Sequence, residues 1–216
     1  IYNRDTDARN NLYRAFVYAV SEGAWGVQLV FDNKVILGTR ARKTRTRSFD
    51  AFSSIDYPET AVFRDTRLIP FLRRPADLPP VQFYEQLDPA VFVLRLVPGM
   101  RADIIPLLAP HYRALVLESF GVGGLPGGEQ GEMFAELRRW CDSGRLAVFT
   151  TQVPHEGCDL AVYEVGRAVG ELPGVLEAHD MTPEAVAVKL MWALGQTQDR
   201  AKVMRLFETP VEVDII

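Results

Sequence analysis

The chain has 216 residues, enough for one large domain or two small ones. It is 48% hydrophobic and 24% charged, a composition able to bury a core. Its 24 Lys and Arg against 28 Asp and Glu leave a net charge of -4, which argues against a dedicated nucleic-acid binder. No apolar run reaches the ~18 residues that span a bilayer, so the reading expects no membrane segment. Cys141 and Cys158 are too few for a disulfide scaffold or a four-cysteine zinc site.

The chain opens with Ile1, not Met, and helix chemistry begins at Asp7. The expectation is a longer protein whose front part is absent, which leaves any leader undecided. Asp7 can cap a helix with Leu12, Ala15, Phe16, Ala19 and Val20 on one face and Glu22-Gly23 as its stop. Residues 26–31 read as a strand, Asp32-Asn33 as a turn, and residues 34–37 as the returning arm. Residues 40–47, R-A-R-K-T-R-T-R, form a basic stretch without an apolar face. Residues 49–58 read as irregular chain. Pro70, Pro75, Pro79, Pro80 and Pro89 then mark a linker or extended crossover.

Beyond it the pattern becomes regular. Strands are expected over residues 91–97, 114–117 and 146–150, and helices over 102–108 and 129–143. Thr182-Pro183-Glu184 starts a last long helix, with Thr as cap, Pro in the first turn and Glu at the positive end. Alternating strands and helices predict a parallel sheet with helices on its faces. Sites in such sheets form at the carboxyl ends of strands. Two loops belong there: S-F-G-V-G-G-L-P-G-G after the second strand and T-Q-V-P-H-E-G-C-D-L after the third.

Glycines 121, 123, 124, 127 and 128 could let backbone amides approach a ligand, but neither a Walker loop nor the dinucleotide fingerprint is present. A tight strand-to-helix turn is the ordinary reading. His111, His155 and His179 are scattered, without HExxH spacing, and read as structural. Ser119 lacks a G-x-S-x-G elbow. Cys158 near His155 lacks the marks of an activated nucleophile. Lys43 is the single lysine among the arginines of residues 40–47. Arginine stays protonated, whereas a buried lysine can exchange protons; a solvated or anion-binding face is the ordinary reading.

F-D-N-K-V-I-L-G-T-R-A-R-K-T-R, F-D-A-F-S-S, V-P-G-M-R-A-D, S-F-G-V-G-G-L-P and H-D-M-T-P-E-A-V-A-V-K-L occur in that order. Together with D-T-D-A-R-N-N-L near the start, they resemble the bacterial type I, cytosolic, L-asparaginases. The resemblance implies an asparaginase-like two-domain α/β fold with parallel sheets and flanking helices. Residues 1–65 would be the remainder of the amino-terminal domain, 66–90 a linker, and 91–216 the complete, smaller carboxy-terminal domain. It further implies an amidohydrolase that converts L-asparagine to L-aspartate and ammonia. A threonine attacks the amide and gives an acyl-enzyme, with a second Thr, an Asp and a Lys handling protons.

Lys43 falls on the family's lysine and is the catalytic residue the resemblance assigns. Gly124 stands where many relatives carry a substrate-reaching Asn, so that contact is lost or reduced to backbone. Tyr163 stands where periplasmic relatives carry a substrate-contacting Glu; a buried structural Tyr is the other reading. No metal or cofactor is implied. The family's G-G-T-I and D-G-T-D threonine motifs do not occur in these residues. The expectation is therefore a carboxy-terminal two-thirds, inactive alone, whose nucleophile comes from an amino-terminal segment or chain not present here.

The resemblance also implies intimate dimers pairing into tetramers, a cytoplasmic location, and no nucleic-acid or membrane partner. Some type I enzymes have an allosteric asparagine site built from T-T-K, L-R-S-Y-G and T-Q-C. Arg42, Glu118 and Val153 alter those segments, so such regulation is expected to be absent. Two alternatives remain: a glutamine-amide-hydrolysing subunit of a tRNA-dependent amidotransferase, and a non-catalytic homologue that binds amino acids.

Overall fold

The computed structural model describes residues 6–77 and 80–216; Ile1, Asp5 and Pro79 lie outside them. The chain divides into two compact units, residues 1–83 and 84–216.

In the first unit, α1 (Ala8–Ala19) precedes a four-stranded antiparallel sheet of β1 (Gln28–Phe31), β2 (Lys34–Leu37), β5 (Ala61–Arg64) and β6 (Arg67–Pro70), in the order β1-β2-β5-β6. Both hairpin turns use an Asp in the left-handed region, Asp32 and Asp65, which Asp tolerates better than most residues. The first hairpin falls where turn chemistry predicted it. The second lies in the stretch that prolines had marked as an extended crossover. Pro70 fits because it ends an edge strand, where no ladder donor is needed.

The face of α1 differs from expectation. Leu12, Phe16 and Val20 are 57%, 64% and 83% exposed, while Asn11 and Tyr18 are buried. Asn11 is drawn in by polar work: its Oδ1 accepts the Asp32 amide at 2.9 Å and its Nδ2 donates to Asp7 at 3.1 Å. Residues 40–58 hold a second surprise. β3 (Ala41–Lys43) and β4 (Phe52–Ser54) pair antiparallel, Lys43 opposite Phe52. The basic stretch is thus partly strand.

The second unit carries the parallel sheet. β7 (Val91–Arg95), β8 (Ala114–Ser119), β9 (Leu146–Thr151) and β10 (Val175–Glu177) run parallel in simple sequential order. The connecting helices are α2 (Ile104–Leu108), α3 (Glu132–Asp142) and α4 (Glu164–Gly170). Right-handed crossovers that all advance in one direction place every connecting helix on the same face. The packing agrees: Ile105, Leu108, Met133, Leu137, Trp140 and Val169 form one core with Leu115, Leu117, Ala147 and Phe149. The opposite face (Val91, Ala114, Val116, Leu146, Val148, Leu176) is covered by α5 (Pro183–Gln196) and α6 (Arg200–Glu208) through Val186, Leu190, Ala193, Leu194, Val203 and Phe207.

Helix ends follow local chemistry. Thr182 caps α5 by accepting the Ala185 amide at 3.2 Å, with Pro183 as first residue, as its sequence predicted. Asp199 caps α6 through the amides of Ala201 and Lys202, so the carboxy-terminal helix is two helices. The helix expected over 129–143 is a 3₁₀ turn, Gly128–Gln130, followed by α3, because Gly131 is extended between them. β10 and α4 are too short to show in the pattern. Among the described residues no helix is long and apolar enough to cross a membrane.

Candidate functional site

In the first unit the basic residues are organised around the β3–β4 pair. Lys43 is exposed, so burial does not set it apart, and its Nζ lies 5.9 Å from the centre of the Phe52 ring. Thr44 Oγ1 and Ser53 Oγ share a hydrogen bond of 2.8 Å across the same pair. Asp50 ties the loop down. It receives Lys34 Nζ at 2.7 Å and Arg45 Nη1 at 2.9 Å, and the Lys34 hydrogen bond, aided by the charges of Lys34 and Arg45, holds its carboxyl below the ordinary value. The residue that sequence reasoning missed is Arg40. It is fully buried at the head of this segment with its guanidinium over the Tyr57 ring.

In the second unit the carboxyl ends of the strands lead into loops that pack on one another. Val122 O accepts both the Asp159 amide and the Cys158 thiol, each at 3.1 Å. Leu160 lies where a β-carbon on Gly123 would stand, 2.7 Å from its Cδ2, and Gly123 has φ +149. Glycine at 123 therefore permits the close approach of loops 120–128 and 157–163. Beside them Ser119 is buried and donates to Thr150 O at 2.8 Å. Gln152 spans the β7 and β8 ends through the carbonyls of Leu96 (2.6 Å) and Glu118 (2.9 Å). Thr150 Oγ1 is buried without a hydrogen-bond partner among the described residues. A cavity of about 560 Å³ opens here, lined by Arg101, Phe120, Leu125, Glu132 and Met133 among others.

Gly124 sits inside this loop cluster. Its amide donates to Phe120 O at 2.8 Å and its carbonyl accepts the Phe120 amide at 3.2 Å. A β-carbon there would stand 3.3 Å from both Phe120 Cβ and Phe120 O. Tyr163 precedes α4 and is 62% exposed, which corrects the buried structural reading. Lys43 belongs to the first unit; within the second, the structure brings together the loops bearing Gly124 and Tyr163. The glycine-rich segment is the strand-to-helix turn of the ordinary reading. Cys141 and Cys158 are free and buried; burial pushes the first thiol up to about 11 and the second to about 12, which leaves both un-ionised and poor nucleophiles at neutral pH. Among the described residues no group of three or more His, Cys, Asp or Glu is placed to hold a metal ion.

Two family models match the chain in order. Residues 1–75 match the amino-terminal asparaginase domain, and residues 90–207 match the glutaminase/asparaginase carboxy-terminal domain. The chain belongs to the asparaginase family. Among asparaginase-family relatives, an L-asparaginase of Thermococcus kodakarensis is 37% identical over 212 residues, covering 98% of this chain and 63% of that protein. A glutamyl-tRNA(Gln) amidotransferase subunit of Pyrococcus furiosus is 32% identical over 216 residues, covering 94% of this chain and 48% of that protein. The solved structure of the thermostable Thermococcus kodakarensis L-asparaginase superposes with a TM-score of 0.92 at 33% identity, covering all of this chain and 64% of that one. The chain thus spans less than two-thirds of the relatives it matches.

Proposed function

We propose that this chain forms part of an enzyme of the type I, cytosolic, subgroup that hydrolyses L-asparagine to L-aspartate and ammonia. The observation that carries this reading is the in-order match of both asparaginase domains to a chain whose fold follows an L-asparaginase throughout its described length. A threonine hydroxyl attacks the side-chain amide carbon, ammonia leaves, and water hydrolyses the resulting ester to aspartate and free threonine. That threonine is supplied from outside these 216 residues, since neither threonine motif occurs among them. Lys43 handles the proton of the attacking or leaving group. Gly124 and Tyr163 meet substrate from a neighbouring subunit, Tyr163 through its exposed ring. The working assembly is a homodimer or tetramer. A cytoplasmic location accords with two unpaired cysteines. Cooperative regulation by asparagine is absent.

The test is ammonia release from L-asparagine by the chain alone and after co-expression with the amino-terminal third of the Thermococcus kodakarensis L-asparaginase. The expected result is no turnover alone and turnover in the pair, lost on Lys43→Met. Turnover by the chain alone would refute the external nucleophile, and sigmoidal kinetics in the pair would refute the regulatory reading. The resemblance to the Pyrococcus furiosus amidotransferase protein supports a second reading, a glutamine-specific ammonia donor. Faster release from L-glutamine than from L-asparagine would favour it.

A further inference from the structure

At the end of the second unit's sheet away from the site loops, a cavity of about 350 Å³ is lined by Arg113, Arg145, Arg200 and His111 and by no Asp or Glu. The three arginines come from separate places: just before β8, just before β9, and the first residue of α6. Each is positioned differently. Arg113 is neutralised by Asp88 at 2.5 Å. Arg145 is held, among the described residues, by neutral groups: the carbonyls of Ala109 (2.8 Å) and Tyr112 (3.3 Å) and the Ser143 hydroxyl (2.6 Å), over the Trp140 ring. Arg200 lies against the backbone at Gly174, where a β-carbon would overlap its guanidinium, and its buried Nη2 has no hydrogen-bond partner among the described residues. The one carboxylate beside it in sequence, Asp199, is occupied in capping α6.

Among the described residues neither of these two guanidiniums that line one cavity makes an ion pair, a situation that like charges in a confined space disfavour unless an anion joins them. The cavity falls in the size range of small-molecule sites. A phosphate group concentrates about two negative charges and several acceptor oxygens at one point, and guanidinium forks match that geometry. We propose that this cavity binds the phosphate group of a small metabolite between Arg145 and Arg200. Gln198 and His111 at the rim supply further donors.

The test uses the full chain and inorganic phosphate at millimolar concentration, with sodium chloride and succinate at equal ionic strength as controls. Calorimetric titration should show saturable phosphate binding, weakened at least about tenfold by Arg200→Met, while His111→Gln weakens it less. NMR of arginine Nε–H groups in the unsubstituted chain locates the ion independently of whether Arg200→Met folds. Shifts at Arg145 and Arg200 support the proposal. Shifts elsewhere, succinate binding as well as phosphate, or no saturation beyond the chloride control would each overturn it.

Discussion

Asp214 offers the sharpest test of how the second unit is held. Its carboxylate meets Lys189 Nζ at 2.7 Å, with side-chain exposures of 2% and 5%. The same carboxylate accepts the Val211 amide at 2.8 Å, and the ammonium stands 5.6 Å from the Phe207 ring centre. Asp214→Asn keeps an acceptor for Val211 but strands a buried ammonium. Removing one member of a buried pair costs about 3–5 kcal/mol. At roughly 2–4 °C per kcal/mol for a chain of this size, the melting temperature should fall on the order of 10 °C. Lys189→Met strands the carboxylate and should cost somewhat less, because Val211 still donates to it. The double variant Lys189→Met/Asp214→Asn removes both charges and retains the acceptor. It should lie within about 2 kcal/mol of the parent, since replacing a whole buried pair is often nearly neutral. Urea titration of all four proteins yields the coupling. Additive losses in the double variant, or an Asp214→Asn protein as stable as the parent, would refute the argument from buried charge.

Other outcomes follow from the same structure. Gly157→Ala should cost roughly 2–4 kcal/mol in a melting experiment. Gly157 has φ +68, and an added β-carbon would stand 2.5 Å from His179 O and 2.8 Å from Asp180 Cα, both backbone. Cys141 and Cys158 should resist a thiol-reactive dye at pH 8 until denaturant is added. Their thiols hold protons in the fold to about 11 and about 12 against an ordinary 9.0. The unfolded chain therefore loses protons first as pH rises, so this contribution to stability should be full below pH 9 and decline from 9 towards about 11 for Cys141 and about 12 for Cys158. Lys34→Met should return the Asp50 carboxyl upward toward its ordinary value in NMR titration, with little change in melting temperature, because Asp50 is solvent-screened.

Legibility in the sequence tracked the strength of the local chemistry. Thr182-Pro183-Glu184 announced α5 because cap, proline and charge all act within one turn. The parallel strands were readable as apolar runs, since β8 and β9 are buried along their whole length. β3 was not, because Ala41-Arg42-Lys43 has no alternation of its own; its pairing with β4 defines it. The face of α1 misled because Asn11 turns inward to bind Asp32, an interaction 21 residues distant. Among the candidate residues, Lys43 stood out locally as the single lysine among arginines and Gly124 as one of a glycine cluster, while the roles proposed for them and for Tyr163 came through family resemblance. Arg40 was invisible by any local rule, since nothing in R-A-R-K distinguishes the buried arginine from the exposed lysine.

The sequential order of β7 to β10 bears on how this unit is made. Emerging from the ribosome, each new strand can dock beside the one just completed, with its connecting helix already in place on the first face. The second face stays bare throughout, because α5 and α6 arrive last. Val116, Val148 and their neighbours must wait until α5 and α6 have been made. A message truncated within α5 would release all four strands of the sheet with one greasy side open, a substrate for chaperones and proteases.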